Sequence, residues 1–147
     1  VMINNYSTKC HLINKAITNK SGFYNISIKN NHSGVATLHP RNNLISKSNN
    51  KIESIEGISR TELDDLIKNN DKVPLIVKID VEGFEMNVIK ELLKTQTAKY
   101  ITEIYFEVDE RWVDYKDIET LLKLNGYKFF SKTSTNIKHY DVYASKH

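Results

Sequence analysis

The 147-residue chain contains few of the residues that build disulfide frameworks and rigid turns. It has one cysteine, two prolines, five glycines and one tryptophan. A single thiol cannot form an internal disulfide, which excludes a disulfide-stapled scaffold and favours a reducing compartment. We therefore expect a cytoplasmic location, with Cys10 as a small buried side chain rather than a reactive thiol.

Strong charge of one sign and long apolar runs are also missing. The net charge is only +3, and acidic and basic residues are interspersed. A nucleic-acid interface needs a clustered basic face, so we predict no nucleic-acid partner. No apolar run approaches the roughly 20 residues that cross a bilayer, so we predict no membrane span.

Alternating apolar residues and turn residues predict an α/β domain. In the N-terminal part of the sequence, these patterns predict a strand over 10–17, an antiparallel hairpin inserted near residues 23–58, and a polar loop over 39–51. Further strands are predicted at 75–79, 100–108, 127–130 and 138–144, and helices at 62–69, 85–94 and 117–124. This order of elements is typical of a mostly parallel sheet.

An apolar run over 75–79 is followed by two acids, a glycine and a predicted helix. The run is interrupted only by Lys78, as expected for a parallel strand covered on both faces. Asp80 and Glu82 come directly after it, and Gly83 supplies the turn. In open α/β sheets, ligands bind beyond the carboxyl ends of the strands. This segment therefore predicts where the chemistry takes place.

Glu107 ends the next predicted strand and faces the same crevice as Asp80 if the two strands are neighbours. A carboxylate there can accept a hydrogen bond from a ligand, pair with a cation or act as a base. Structural alternatives stand beside these roles. Glu85 can satisfy free N–H groups at the helix start, Glu107 can be a solvated rim acid, and Trp112 can cover the core or stack on a substrate.

Several catalytic patterns are absent from the sequence. No Gly-x-Ser-x-Gly, no Cys–His signature and no phosphate-binding Gly-x-x-x-x-Gly-Lys occurs, which argues against a serine hydrolase or a P-loop enzyme. The five histidines are scattered without metal-ligand spacing, so no histidine or cysteine metal site is predicted. Three acids could still hold Mg²⁺.

The segment Ile79-Asp-Val-Glu-Gly-Phe-Glu85 resembles the signature of the FkbM family of S-adenosylmethionine-dependent methyltransferases. Lys78 through Glu85 match the family pattern Lys-Ile-Asp-x-Glu-Gly-x-Glu. Residues 12–22 resemble the strand-then-turn segment that precedes the signature, and Thr61-Glu-Leu-Asp-Asp-Leu66 resembles a helix of the family. Glu107 matches the acid that ends the following strand.

The resemblance implies a partial Rossmann-like class I methyltransferase sheet, mostly parallel with a C-terminal antiparallel strand. It implies methyl transfer from S-adenosylmethionine to a hydroxyl group of a small molecule, such as a sugar. Asp80 would lie beside the methionine part of the cofactor, and Glu82 and Glu107 would line the acceptor side. The residues implied near the adenine are Asn14, Lys15 and Ala16.

The glycine-rich cofactor turn of such enzymes is missing from the sequence. We therefore expect residues 1–147 to be one incomplete methyltransferase domain, the C-terminal portion of a longer enzyme. The strand at 10–17 would then lack the neighbours that normally join it to the strand at 75–79. We expect the chain alone to bind S-adenosylmethionine poorly and to be inactive. The alternatives are a non-catalytic α/β module and a Mg²⁺-dependent hydrolase or transferase.

Overall fold

The computed structural model describes residues 10–29, 36–38, 50–67, 72–133 and 138–147. The strands are β1 Ala16–Ile17, β2 Gly22–Lys29, β3 Ala36–Thr37, β4 Asn50–Ile58, β5 Leu75–Ile79, β6 Ile101–Asp109, β7 Phe129–Lys132 and β8 His139–Ser145. The helices are α1 Arg60–Leu66, α2 Glu85–Leu93 and α3 Tyr115–Leu124, with a 3₁₀ turn at Gln96–Tyr100. None of the helices in these ranges is long and apolar enough to cross a membrane.

The first sheet has the strand order β1-β4-β2-β3. Antiparallel pairing of β2 with β4 and with β3 confirms the predicted hairpin insertion. The predicted strand over 10–17 is wrong except at its end, because only Ala16 and Ile17 pair, parallel to β4. Ala16 and Ile17 do have a neighbouring strand, because β4 supplies their backbone partners. Cys10 is exposed, so the prediction of a buried thiol is wrong.

The second sheet has the order β5-β6-β8-β7, with β5 at one edge. The pair β5–β6 is parallel, whereas β8 runs antiparallel to both β6 and β7. The expected C-terminal antiparallel strand is therefore confirmed. The expected parallel character is confirmed only for β5–β6 and β1–β4, because the two hairpins give antiparallel neighbours. The described residues form a mixed α/β fold with two separate sheets.

The hydrophobic core lies between the second sheet and the helices. Alternate residues of β6 and β8 point into it, as a strand with one buried face requires. Ile104, Phe106 and Val142 are fully buried. On α2, Val88, Ile89 and Leu92 are buried, while Met86 and Leu93 are half-buried.

Side chains at the helix starts fix where α1 and α3 begin. Ser59 and Glu62 form a capping box at the start of α1, in which Glu62 Oε2 accepts a hydrogen bond from Ser59 N at 2.9 Å. The α3 helix begins two residues before its predicted start, because Asp114 caps it by accepting from Lys116 N at 2.8 Å. Part of the predicted end of α1, at 68–69, lies outside the described residues.

The predicted loop over 39–51 is only partly tested. Residues 39–49 lie outside the described part of the chain, whereas residues 50 and 51 belong to β4 and extend it beyond the predicted start at 52. The closing strands β7 and β8 each lie one or two residues later than predicted.

Candidate functional site

The ends of β5 and β6 bring three carboxylates together. In the parallel register Ile79 lies opposite Phe106, so Asp80 and Glu107 follow at the same edge of the sheet. One carboxylate oxygen from each of Asp80, Glu82 and Glu107 lies within 4.8 Å of the others. We call these three residues the carboxylate cluster. The strands β5 and β6 are therefore neighbours, which is the condition under which Glu107 was predicted to face the same crevice as Asp80.

The turn after β5 positions Glu82 through an unusual backbone. Glu82 has a φ of 50° and Gly83 a φ of 94°, both in the left-handed region. This region is uncommon for residues other than glycine and is found where surrounding structure enforces it. At Gly83 a side chain would also meet Trp112, since an added Cβ would lie 3.0 Å from Trp112 Cβ. The turn therefore depends on glycine for two reasons.

The electrostatics of the cluster favour proton uptake at Glu82. Burial raises the pKa of Glu82, and the nearby carboxylates of Glu107 and Asp80 raise it further. A lysine and a histidine flank the cluster. Lys78 Nζ lies 2.9 Å from Asp80 Oδ2, and His139 Nε2 lies 2.7 Å from Glu107 Oε1.

Glu85 supports the turn from inside the fold. Its side chain is almost fully buried, and Oε1 accepts a hydrogen bond from Gly83 N at 3.1 Å. Burial raises the pKa of Glu85. This contact agrees with the structural alternative for Glu85, in which the acid satisfies backbone N–H groups around the helix start.

His139 is the residue at this site that the sequence did not reveal. The antiparallel register of β6 and β8 places it opposite Asp109, and its ring reaches Glu107. The hydrogen bond to Glu107 raises the pKa of His139, and the charges of Asp109 and Glu82 act in the same direction. No local pattern could show this pairing, because His139 is 32 residues from Glu107 in the chain.

We expect the substitution Glu107→Gln to lower the pKa of His139 towards its ordinary value of about 6.5. Because the folded-state pKa is raised, stability from the ion pair is fully present below the unfolded pKa. It is lost as the pH rises through the folded pKa. Titration of the histidine ring signals by NMR, in wild type and variant, measures the shift.

The matched control for this titration is Glu103→Gln, which removes a charge from the same strand away from His139. It should leave the pKa of His139 unchanged. If the pKa of His139 is the same in wild type and in Glu107→Gln, the ion pair does not form in solution.

A cavity of about 770 Å³ borders β5 and reaches the carboxylate cluster through Asp80. Two residues predicted near a cofactor, Lys15 and Ala16, also line it, whereas Asn14 does not. Lys15 is held by an ion pair with Glu56 at 2.7 Å. The remaining wall is mainly apolar, with side chains from both sheets and from α1 and α2.

Trp112 lies on the other side of the turn after β5. It is half-buried and packs against the core as well as beside Gly83. It also lines a second cavity of about 470 Å³ at the start of α3. Trp112 therefore packs against the core, which was one of its two predicted roles. Its other predicted role, stacking on a substrate, stays a prediction.

The sequence matches the model of the methyltransferase FkbM domain over residues 2–129. The chain belongs to the FkbM methyltransferase family. Searches of curated proteins and of solved structures gave no significant match. The FkbM match includes all three members of the carboxylate cluster and ends in β7, so His139 lies beyond it.

Proposed function

We propose that this FkbM family member transfers a methyl group from S-adenosylmethionine to a hydroxyl oxygen of a sugar or another small metabolite. One observation carries the proposal: Asp80 belongs to the carboxylate cluster and also lines the cavity that contains Lys15 and Ala16. A single carboxylate thus connects the predicted cofactor side with the predicted acceptor side.

The described residues fit one wall of such a cofactor site. Apolar side chains, among them Val81 and Phe84, can cover an adenine ring, and Asp80 can accept hydrogen bonds from an ammonium group. No glycine of the described residues lines this cavity. A backbone that approaches the cofactor closely, as glycine permits, must therefore come from elsewhere.

We infer that the missing wall belongs to an upstream part of the same domain. Within the described residues β5 has one hydrogen-bonded neighbour, β6, so its other edge is open. Ile76 on β5 is 71% exposed, so one face of β5 is uncovered and the prediction of a strand covered on both faces is wrong for the described residues. An additional strand at the open edge would supply backbone partners to β5 and extend the wall of the cavity.

When bound, S-adenosylmethionine supplies an electrophilic methyl group. The residues of this chain contribute positioning and proton transfer. Asp80 would hold the amino acid end of the cofactor and so contribute to its positioning. Glu82 and Glu107 face the acceptor, and either carboxylate can take the hydroxyl proton. Burial raises the pKa of Glu82, which strengthens this carboxylate as a base.

The spacing of the cluster also supports a second candidate, a Mg²⁺-dependent hydrolase or transferase. Three carboxylate oxygens within 4.8 Å can bind a hard divalent cation. A thermal shift separates the candidates. Stabilisation by the methyl donor supports the methyltransferase, stabilisation by Mg²⁺ alone supports the metal enzyme, and no shift in the intact enzyme supports a non-catalytic module.

The decisive measurement is calorimetric titration of S-adenosylmethionine into the intact enzyme and into the 147-residue chain. We expect stoichiometric binding to the intact enzyme and affinity at least about 100-fold weaker for the chain. The reason is that each lost hydrogen bond to a charged group costs about 1.5–3 kcal/mol. Tight stoichiometric binding to the chain alone would show that the open edge of β5 is not part of the cofactor site.

A further inference from the structure

The second cavity lies beside the carboxylate cluster rather than within the proposed cofactor site. Its walls come from the segment between β6 and α3 and from Lys132 on β7. Its volume of about 470 Å³ is in the range of small-molecule sites, roughly 300–1,000 Å³.

Two lysines of this cavity form no ion pair within the described residues. Three cationic side chains (Arg111, Lys116 and Lys132) and two carboxylates (Glu110 and Asp114) line it. Glu110 accepts a hydrogen bond from Tyr140 Oη at 2.5 Å and Asp114 accepts one from Lys116 N at 2.8 Å, and both carboxylates stay charged. Arg111 is paired with Asp109, whereas no described carboxylate lies within ion-pair distance of Lys116 Nζ or Lys132 Nζ. A ligand anion would form an ion pair with both ammonium groups.

Aromatic rings hold one of these lysines in place. Lys132 Nζ lies 4.3 Å from the ring centroid of Tyr115 and 4.2 Å from that of Tyr140. Such cation–π contacts restrict the ammonium group without neutralising its charge. Lys132 is therefore oriented before a ligand arrives, which lowers the entropic cost of binding an anion.

Trp112 lines the cavity beside Gly83, and the guanidinium carbon of Arg111 lies 5.8 Å from the centroid of its ring. Its Cβ and ring atoms lie 3.0–3.5 Å from the position of a Cβ on Gly83. Arg111, the neighbouring wall residue, is paired with Asp109, and the charge of Glu82 contributes to the raised pKa of Arg111. A ring stacked on Trp112 would thus have the carboxylate cluster beside it.

We propose that this cavity is the acceptor subsite and that the acceptor is a hydroxylated ring carrying an anionic group, such as an acidic sugar. The ring stacks on Trp112, and its carboxylate or phosphate pairs with Lys116 and Lys132. This inference rests on the proposed function, since it names the substrate class of the same methyl transfer. It goes beyond it because a neutral sugar would form no ion pair with either ammonium group.

Tryptophan fluorescence can test the proposal directly, because Trp112 is the only tryptophan in the chain. The 147-residue chain is titrated with glucuronate, glucose 6-phosphate, glucose and inorganic phosphate, without cofactor. We expect the acidic sugars to change the emission and to bind about tenfold or more tightly than glucose, since charge-assisted hydrogen bonds favour them. Inorganic phosphate should leave the emission unchanged because it has no ring to stack.

Charge-removing variants identify the lysines. Lys116→Met and Lys132→Met should each weaken binding of the acidic sugars about tenfold. Lys90→Met, which removes an exposed charge from α2, is the matched control and should bind as wild type. If Lys132→Met disturbs folding through its tyrosine contacts, as circular dichroism would show, Lys116→Met still tests the proposal.

Four results would overturn the inference: glucose binding as tightly as the acidic sugars, inorganic phosphate giving the same emission change, no effect of either lysine variant, or no response to any sugar. A response to only one acidic sugar supports the site and tells whether it selects a carboxylate or a phosphate. If the sugar titrations give one of these results while the intact enzyme still binds S-adenosylmethionine, only the proposed class of acceptor is refuted. If the intact enzyme does not bind S-adenosylmethionine, the proposed function itself is refuted.

Discussion

Replacing Asp80 by asparagine is expected to reduce methyl transfer by the intact enzyme roughly 10- to 100-fold, with the affinity for S-adenosylmethionine falling in parallel. The substitution keeps the shape of the side chain but removes its charge, and hydrogen bonds to charged groups contribute about 1.5–3 kcal/mol. Transfer of a labelled methyl group and calorimetric titration of the cofactor measure the two effects.

The fold should be unaffected by Asp80→Asn. The Asp80 side chain is about half exposed and its ion pair with Lys78 lies at the surface, where such pairs contribute little to stability. Asp65→Asn, an exposed acid on α1 that does not line the cavity, is the control and should retain full activity. Unchanged turnover in Asp80→Asn would remove Asp80 from the mechanism.

Replacing Gly83 by alanine is expected to lower the free energy of unfolding by about 2–4 kcal/mol. A left-handed backbone position costs a side chain roughly 1–3 kcal/mol, and forced close packing adds about 1 kcal/mol or more. The close packing arises at Trp112 Cβ, 3.0 Å from the added methyl group. Urea unfolding of the 147-residue chain gives the difference directly.

Gly126 provides a control that separates these two causes. Its φ of 88° is close to that of Gly83, but no atom lies within 4 Å of an added Cβ. Gly126→Ala should therefore show the backbone cost alone and destabilise less than Gly83→Ala. If the two variants lose the same free energy of unfolding, Trp112 moves aside without an energetic cost and does not constrain the turn.

Local patterns along the chain predicted most of the individual elements. Alternating apolar residues indicated the antiparallel pair that β2 and β4 form. Burial does not follow that alternation, since Phe23 and Ile52 are 81% and 64% exposed. The helix predicted at 62–69 is present as α1, but it starts two residues earlier, at Arg60, because Ser59 and Glu62 form a capping box there. Boundaries differ by up to two residues where a cap such as Asp114 was not recognised.

Long-range pairings were not visible in the sequence. The choice of β4 as partner for Ala16 and Ile17, and the division into two sheets, depend on backbone hydrogen bonds between distant segments. Asp109 is largely buried and paired with Arg111. Its position follows from the β6–β8 register, which a local pattern does not encode.

The sequence by itself determined the family and the order of acids around the turn after β5, because Lys78 through Glu85 carry the signature within one short segment. Only the tertiary structure decided that Glu107 meets Asp80 and Glu82, that His139 pairs with Glu107, and that two cavities adjoin the turn. The physical reason is that side chains far apart in sequence meet only when strands align, and alignment is fixed by hydrogen bonds and burial across the whole fold.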